Sequence, residues 1–284
     1  MTEDLQKLGR ESYRKNAWLD AYIQLSAADK ESALEPPDLE LLAISAHMTG
    51  KEQEALDIQE QAHHAFFEQG DVERASRNAV WLGMNLMQMG EFARGGGWIA
   101  TATRLIQDPW RDCVEQGWVL LPNGVMAFGQ GENDTALEVF GQALAIGERF
   151  GDSSLIALAR HGQGRALIKK GEVDKGVSLL DEAMVQVMSK NVYPVAVGII
   201  YCSVIDACFE VFDLRRAQEW TTALSKWAEP QPDLIPFRGQ CAVFRADLMQ
   251  LHGEWSEALN QASSAAKRLR EPPPHEGAGA AIYK

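Results

Sequence analysis

Small residues recur along the chain at a near-constant interval, each within the same local pattern of apolar and polar positions. Successive members of the series are 34, 40, 41, 40, 41 and 41 residues apart. The members are Ala21, Ala55, Gly95, Ala136, Gly176, Ala217 and Ala258. An interval repeated this often predicts an array of similar structural units.

Each unit has the pattern of two helices joined by a turn. Large apolar residues often follow the small residue by four positions, as at Leu25 and Phe140, and alanines by seven, as at Ala62 and Ala183. Offsets of 0, 4 and 7 lie on one face of an α-helix. Five positions before the small residue the turn residues are Asn16, Gly50, Gly90, Gly131, Gly171 and Gly253, with Phe212 as the exception. The small residue therefore begins a second helix and lets it approach the first closely.

In the first helix of several units a leucine is followed by a small residue, as in Leu8-Gly9, Leu42-Ala43 and Leu82-Gly83. With an aromatic residue near the turn and the alanines of the second helix, this pattern resembles the tetratricopeptide repeat. That repeat has about 34 residues, so the longer interval implies helices extended by roughly one or two turns. The resemblance implies an all-α, right-handed α-α superhelix of about seven helix pairs. A partial eighth unit begins at Pro272, so residues 1–284 are expected to form a single solenoid truncated within its eighth repeat at Lys284.

Several runs, most of them in the second half of the chain, resemble a narrower family. The runs are GERFGD (147–152), LLDEAM (179–184), FDLRRAQEW (212–220), PDLIPFRGQC (232–241) and LHGEWSEAL (251–259). In combination they are similar to the long-repeat region upstream of the DNA-binding domain in many bacterial LuxR-type transcriptional regulators. The resemblance implies a sensory or regulatory region, with the DNA-binding domain of that family lying beyond Lys284.

Composition limits the possible functions. The formal net charge is −13, which disfavours direct nucleic-acid binding because such affinity depends on Lys and Arg side chains that neutralise phosphates. The apolar stretch 192–212 contains Asp206 and Glu210, and charges near a bilayer centre are costly, so no membrane span is expected. The four cysteines lack metal-ligand spacing, which predicts no metal and a reducing, cytoplasmic environment.

No motif for a nucleophile, a paired-carboxylate site or a cofactor is evident, so we predict a non-enzymatic protein without a cofactor. The run Gly95-Gly96-Gly97 lacks the Lys-Ser/Thr of a phosphate-binding loop. It marks either a close helix crossing or a deformable helix, and the repeat equivalents of Gly95 favour the crossing. His63 and His64 point about 100° apart on a helix, so we expect them at the surface near a helix end rather than in a metal site.

Repeat arrays bind partners on extended concave surfaces, which here would be lined by the first helices. Projection of the repeat frame onto the first helices gives a set of groove-facing residues, of which five are predicted to bind a ligand or partner: Arg77, Trp118, His161, Arg165 and Asp206. Core packing explains Trp118 equally well, whereas the cost of an unpaired buried carboxylate favours an exposed Asp206. Such a mixed lining suits a peptide or protein partner, or a polar small-molecule effector. The predicted function is therefore ligand or protein binding, as the sensory part of a LuxR-type regulator. The alternatives are a free-standing tetratricopeptide adaptor and, third, an enzyme.

Overall fold

The computed structural model describes residues 2–107, 111–189 and 191–269. Within these ranges the chain forms fifteen helical segments and no strand. In order they are α1 (Thr2–Arg14), α2 (Trp18–Glu31), α3 (Pro36–Met48), α4 (Glu52–Glu68), α5 (Val72–Gln88), α6 (Phe92–Ile106), α7 (Glu115–Trp118), α8 (Leu121–Gly129), α9 (Asn133–Phe150), α10 (Ser153–Lys169), α11 (Val173–Met188), α12 (Pro194–Glu210), α13 (Leu214–Ala228), α14 (Arg238–Leu251) and α15 (Trp255–Leu269). The predicted start of an eighth unit, 272–284, lies outside the described residues.

Consecutive helices pack as seven pairs, the number that the repeat interval predicts. In the fourth pair, α7 and α8 together take the place of the first helix, and α9 is the second. First helices also contact the first helices of neighbouring pairs, as α1 contacts α3 and α10 contacts α12. They form one continuous layer, here called the inner face. The prediction of an all-α solenoid is confirmed.

The seven turns within the pairs share one backbone geometry. The residue five positions before each small residue has φ between 58° and 84°. The next N–H then donates to a carbonyl five residues back, as Lys51 N does to Ala46 O at 2.9 Å, which is the Schellman arrangement. Phe212 also adopts it, with φ of 58°, although a left-handed conformation costs a non-glycine residue about 1–2 kcal/mol. The exception in the sequence is therefore not an exception in the structure.

The small residues bring the two backbones of a pair into contact. All seven are buried. A Cβ atom added to Gly95 would lie 2.7 Å from the carbonyl oxygen of Gly83, whereas one added to Gly96 or Gly97 would have no atom within 4 Å. Gly95 is therefore a crossing residue, as its repeat equivalents indicate, and its two neighbours are not.

The first helix of the fourth pair is interrupted between Trp118 and Leu121. Pro122 lies in the first turn of α8. Proline has no backbone N–H, and its ring clashes with the carbonyl four residues earlier, so α7 cannot continue into α8. The interruption ends α7 at Trp118.

The expectation that His63 is a surface residue is wrong. Its side chain is buried, with Nδ1 2.8 Å from the carbonyl oxygen of Ala75 and the ring centroid 4.9 Å from that of Trp98. His64, its neighbour, is exposed. The cover over His63 comes from the following pair, α5 and α6, and a single-helix projection does not include that neighbour.

The loop 229–237 between α13 and α14 returns to the first two pairs. Trp18 Nε1 donates a hydrogen bond to Gln231 Oε1 at 2.8 Å, across 213 residues of sequence. The backbone N–H of Ile235 donates to the carbonyl of Met48 at 3.0 Å. These closing contacts join the loop before the last helix pair to the first two pairs. One apolar core includes Trp18 and Met48 from the first two pairs and Trp118 from the fourth. The inner face therefore encloses a core instead of forming an open groove along its full length.

Candidate functional site

Three of the five predicted site residues lie together between α10 and α12. This Arg165 cluster consists of His161, Arg165, Ser203, Asp206 and Glu210. Arg165 Nη1 donates to the Ser203 carbonyl oxygen at 2.8 Å and lies 3.8 Å from Asp206 Oδ2, while Nη2 lies 3.4 Å from Glu210 Oε2. The Arg165 side chain is 12% exposed and that of Asp206 is 68% exposed. A partner can therefore reach Asp206 directly, and Arg165 mainly holds the cluster together.

His161 serves this cluster as an uncharged side chain. Its Nε2 lies 2.7 Å from Ser203 Oγ. Burial, assisted by the positive charge of Arg165, lowers the pKa of His161 to about 3. The ring is therefore neutral near pH 7 and fixes Ser203 by a hydrogen bond.

The other two predicted residues, Arg77 and Trp118, form a second group. Arg77 Nη2 donates to Glu115 Oε1 at 2.7 Å and lies 3.4 Å from Asp152 Oδ2. Its guanidinium lies 5.1 Å from the centroid of the Trp118 ring. Trp118 is 2% exposed and donates its Nε1–H to Asp152 at 3.0 Å. These contacts favour the interpretation of Trp118 as a packing residue. Its buried ring lies against the guanidinium of Arg77.

Beside Arg77 the inner face contains a cavity of about 250 Å³, here called the inner cavity. Its polar lining comprises Tyr13, Glu40, His47, Gln59, Arg77, Asn78, Asn85 and Tyr193. Trp81 forms part of the wall and stacks on Tyr193 with ring centroids 4.8 Å apart. Solvent reaches the site, since the Arg77 side chain is 32% exposed. The cavity therefore combines an aromatic wall with hydrogen-bonding groups from several pairs.

Glu40 is the carboxylate of the inner cavity. It accepts a hydrogen bond from Asn78 Nδ2 at 2.7 Å, and among the described residues no cation lies within ion-pair distance of it. Burial raises the pKa of Glu40, opposed by the Asn78 hydrogen bond and by the charges of Arg74 and Arg77. A carboxylate has about four acceptor positions, so most of the acceptor capacity of Glu40 is open to a ligand.

The phenol groups of Tyr13 and Tyr193 lie near this carboxylate. Within the described part of the chain, neither hydroxyl has a hydrogen-bond partner. Burial raises the pKa of both phenols, and the negative charge of Glu40 raises each further. The two hydroxyls and Glu40 thus present unused polar atoms in one cavity.

The repeat frame contains a signal for Glu40 but none for the tyrosines. Glu40 precedes Ala55 by 15 residues, the same offset at which His161 precedes Gly176. Applying that offset to the second pair therefore finds Glu40. Tyr193 lies just before α12, outside the helical frame, and its contact with Trp81 exists only in the folded solenoid.

Other kinds of site have no counterpart in the described residues. No group of three or more His, Cys, Asp or Glu side chains is arranged there to hold a metal ion. None of the described helices is both long and apolar enough to span a bilayer. The four cysteines are free, and burial raises the pKa of Cys208 to about 12, so this thiol remains protonated.

Comparison with known protein families and with curated proteins finds no match. Solved structures do match. A tetratricopeptide repeat protein from Parabacteroides merdae ATCC 43184 has 17% identity and a TM-score of 0.51, with 99% of this chain and 98% of that chain covered. The Rap protein complexed with Competence and Sporulation Factor has 11% identity and a TM-score of 0.55, with 99% and 95% covered. The human IFIT1 dimer with m7Gppp-AAAA has 17% identity and a TM-score of 0.55, with 88% and 55% covered.

The fold is that of a tetratricopeptide-like solenoid. At these identities the similarities establish the fold alone. None of the three structures is a LuxR-type regulator by its description, so that resemblance stays a prediction from the sequence. Helical solenoids in general supply extended binding surfaces.

Proposed function

We propose that this protein is a non-enzymatic binding solenoid that holds a peptide, a protein segment or a polar small molecule on its inner face. The observation that carries the proposal is the inner cavity, where Glu40 bonds only to the Asn78 amide and the hydroxyls of Tyr13 and Tyr193 have no protein partner among the described residues. None of these oxygen atoms is a fully buried atom without a partner, so solvent can reach them. A ligand that enters the cavity can take over the hydrogen bonds that these atoms otherwise make to water.

The Arg165 cluster supports a binding surface that extends beyond the cavity. Asp206 is exposed on the inner face, and the neighbouring Lys169 Nζ lies 2.6 Å from Glu210 Oε1 with its own side chain 43% exposed. These charges suit the polar backbone and side chains of a peptide. A ligand that occupies both places would need to be longer than a single small molecule.

Two structural relatives support ligand binding by this fold. The Rap protein is described in complex with Competence and Sporulation Factor, and IFIT1 with m7Gppp-AAAA. The net charge of −13 makes nucleic acid a poor candidate for this chain. A protein or polar effector therefore remains the proposed partner.

The sequence resemblance to LuxR-type regulators suggests which biological process the proposed binding would serve. In a LuxR-type regulator the inner face would sense an effector, whereas a free-standing adaptor would use the same surface for a protein partner. The alternatives differ in the ligand: a small effector favours the sensory region, and a folded or peptide partner favours the adaptor.

The experiment begins with affinity purification of partners from the source cells, followed by calorimetric titration of the purified candidate. Asp206→Ala is compared with Glu219→Ala. Both remove an exposed carboxylate, but Glu219 lies on the second helix α13, where it pairs with Arg215. We expect the Asp206 variant to bind at least about five-fold more weakly because a hydrogen bond to a charged group is lost. Equal affinities for the two variants, with unchanged circular dichroism, would show that Asp206 is not part of the binding surface.

A further inference from the structure

The charges around the inner cavity do not balance. Arg77 is shared by two carboxylates, Glu115 at 2.7 Å and Asp152 at 3.4 Å. Glu40 adds a third carboxylate, and its hydrogen-bond partner is the neutral amide of Asn78. With the more distant Arg74 and its partner Asp71 included, two guanidinium groups face four carboxylates. The field in the cavity favours a positive ligand.

The remaining positively charged candidates are engaged elsewhere. Arg74 lies 3.8 Å from Asp71, and its guanidinium is 5.4 Å from the centroid of the Phe66 ring. His47 also lines the cavity and already has an interaction of its own. The chain thus leaves Glu40 without an ion-pair partner among the described residues.

We infer that the inner cavity binds a cationic nitrogen of its ligand, an ammonium or guanidinium group, through the Glu40 carboxylate and the hydroxyls of Tyr13 and Tyr193. The inference rests on the proposed function and specifies the ligand chemistry. A cationic nitrogen donates hydrogen bonds and accepts none. The carboxylate and phenol oxygens are acceptors, so the ligand and the cavity are complementary.

The size of the cavity sets the size of the bound group. Pockets for drug-sized molecules have volumes of about 300–1,000 Å³, and the inner cavity has about 250 Å³. It therefore suits one lysine or arginine side chain, a peptide amino terminus or a small amine. A feature that would favour an anion instead is Arg77 Nε, a buried donor that has no hydrogen-bond partner among the described residues, and the experiment tests this alternative.

The test uses four-carbon probes that differ only in the polar group: n-butylammonium, n-butylguanidinium, n-butanol and butyrate. Binding is followed by ¹⁵N NMR of the Trp81 indole and the Asn78 side-chain amide, both of which belong to the cavity wall. A Trp81→Phe variant assigns the indole signal among the eight tryptophans. We expect saturable shifts with the two cations and at least ten-fold weaker binding of butanol and butyrate.

Glu40→Gln removes the charge and keeps an oxygen that can accept from Asn78, so the fold is retained. It should weaken cation binding at least ten-fold and leave butanol binding unchanged. The matched control is Glu68→Gln, which makes the same change in net charge at an exposed position outside the cavity. An equal loss in both variants would mean a general electrostatic effect and would overturn the inference.

Tyr13→Phe and Tyr193→Phe keep the rings and remove hydroxyls that have no hydrogen-bond partner within the described part of the chain. A binding role predicts two- to five-fold weaker cation binding with no loss of thermal stability. Tyr22→Phe is the control, since its hydroxyl bonds to Glu54 outside the cavity. These variants decide the question even if Glu40→Gln does not fold.

Butyrate binding as tight as butylammonium binding would assign recognition to Arg77 and overturn the inference. The absence of a saturable shift with any probe would overturn it as well. Neither result changes the outcome expected when the wild type and Asp206→Ala are titrated with the purified partner. Failure of the cation site is therefore distinguishable from failure of the proposed function.

Discussion

Contacts within a helix pair and contacts across the inner face differ in how far they reach along the chain. Within a pair the close crossing joins Gly83 and Gly95, which are 12 residues apart. On the inner face Arg77 pairs with Glu115 across 38 residues, and the closing contact from Trp18 at the start of α2 to Gln231 spans 213. The crossings use small residues that recur in every unit, whereas the inner-face contacts use large or charged residues that occur once.

This difference separates the part of the molecule that forms the scaffold from the part that can recognise a ligand. A repeated crossing has to be the same in each unit, so it cannot distinguish one ligand from another. The inner face carries side chains particular to each unit, and Glu40, Arg165 and Asp206 are examples. Changes in the two regions should therefore have different consequences for stability and binding.

The largest expected loss of stability follows from Arg77→Met. This substitution leaves Glu115, whose side chain is 5% exposed, without its cation and removes the contact over Trp118. Breaking a largely buried ion pair on one side should reduce the free energy of unfolding by about 2–4 kcal/mol. Urea unfolding followed by circular dichroism measures the change.

The double variant Arg77→Met/Glu115→Gln is the control for this interpretation. It removes the stranded charge, so it should be more stable than Arg77→Met alone, with a coupling of about 1–2 kcal/mol. Strictly additive losses would show that the two side chains do not interact in solution.

The crossings are tested by two neighbouring glycines in α6. An added methyl group on Gly95 would meet backbone 2.7 Å away, whereas one on Gly96 would meet nothing within 4 Å. Gly95→Ala should therefore cost about 1–3 kcal/mol through overpacking. Gly96→Ala should gain about 0.5–1 kcal/mol because alanine favours a helix. Thermal unfolding of the two variants gives the comparison, and changes of the same sign would contradict the crossing.

The periodic part of the fold can be predicted from the sequence, and these glycines show why. The small residues, the turns and the seven pairs depend on contacts between residues in one unit, and their pattern recurs. The Phe212 turn breaks the residue pattern but keeps the geometry, because the surrounding pair imposes it. The burial of His63 was missed, since its cover comes from the next unit.

For the candidate site, the repeat frame predicts which helix faces meet but not how the charges pair. Arg165 and Asp206 were projected onto the inner face, and they lie together there. Arg77 is paired with Glu115 and Asp152, while Glu40 has no ion-pair partner among the described residues. Both facts depend on three-dimensional neighbours 37 or more residues away. No periodic signal contains that information.

The closing contacts have no sequence signal either, and Gln231→Met tests them. The variant has a similar length but offers Trp18 Nε1 only a weak sulfur acceptor, and it also loses the bond that Gln231 Nε2 donates to the Trp227 carbonyl oxygen at 2.6 Å. We expect a loss of about 1–2 kcal/mol and a larger radius of gyration by X-ray scattering if the contact holds the solenoid closed. The control Gln142→Met, at an exposed position on α9, should change neither the free energy of unfolding nor the radius of gyration. Identical behaviour of the two variants would show that the loop 229–237 does not depend on this bond.

The smallest effect is expected from His161, and it appears only as the pH falls. The pKa of this residue is about 3 in the folded protein, compared with about 6.5 in an unfolded chain. Between these values the unfolded state binds the additional proton, so the stability contribution is complete above about pH 6.5 and is lost as the pH decreases towards 3. From pH 7 to 5.5 the free energy of unfolding of the wild type should fall by about 1 kcal/mol more than that of His161→Gln, whose side chain can still bond to Ser203.

Urea unfolding at both pH values measures this difference. The control is His64→Gln, a change at an exposed position, which should follow the wild type. Parallel pH dependence of the wild type and His161→Gln would mean that solvent reaches this ring, and the assignment of His161 as a neutral partner of Ser203 would be wrong.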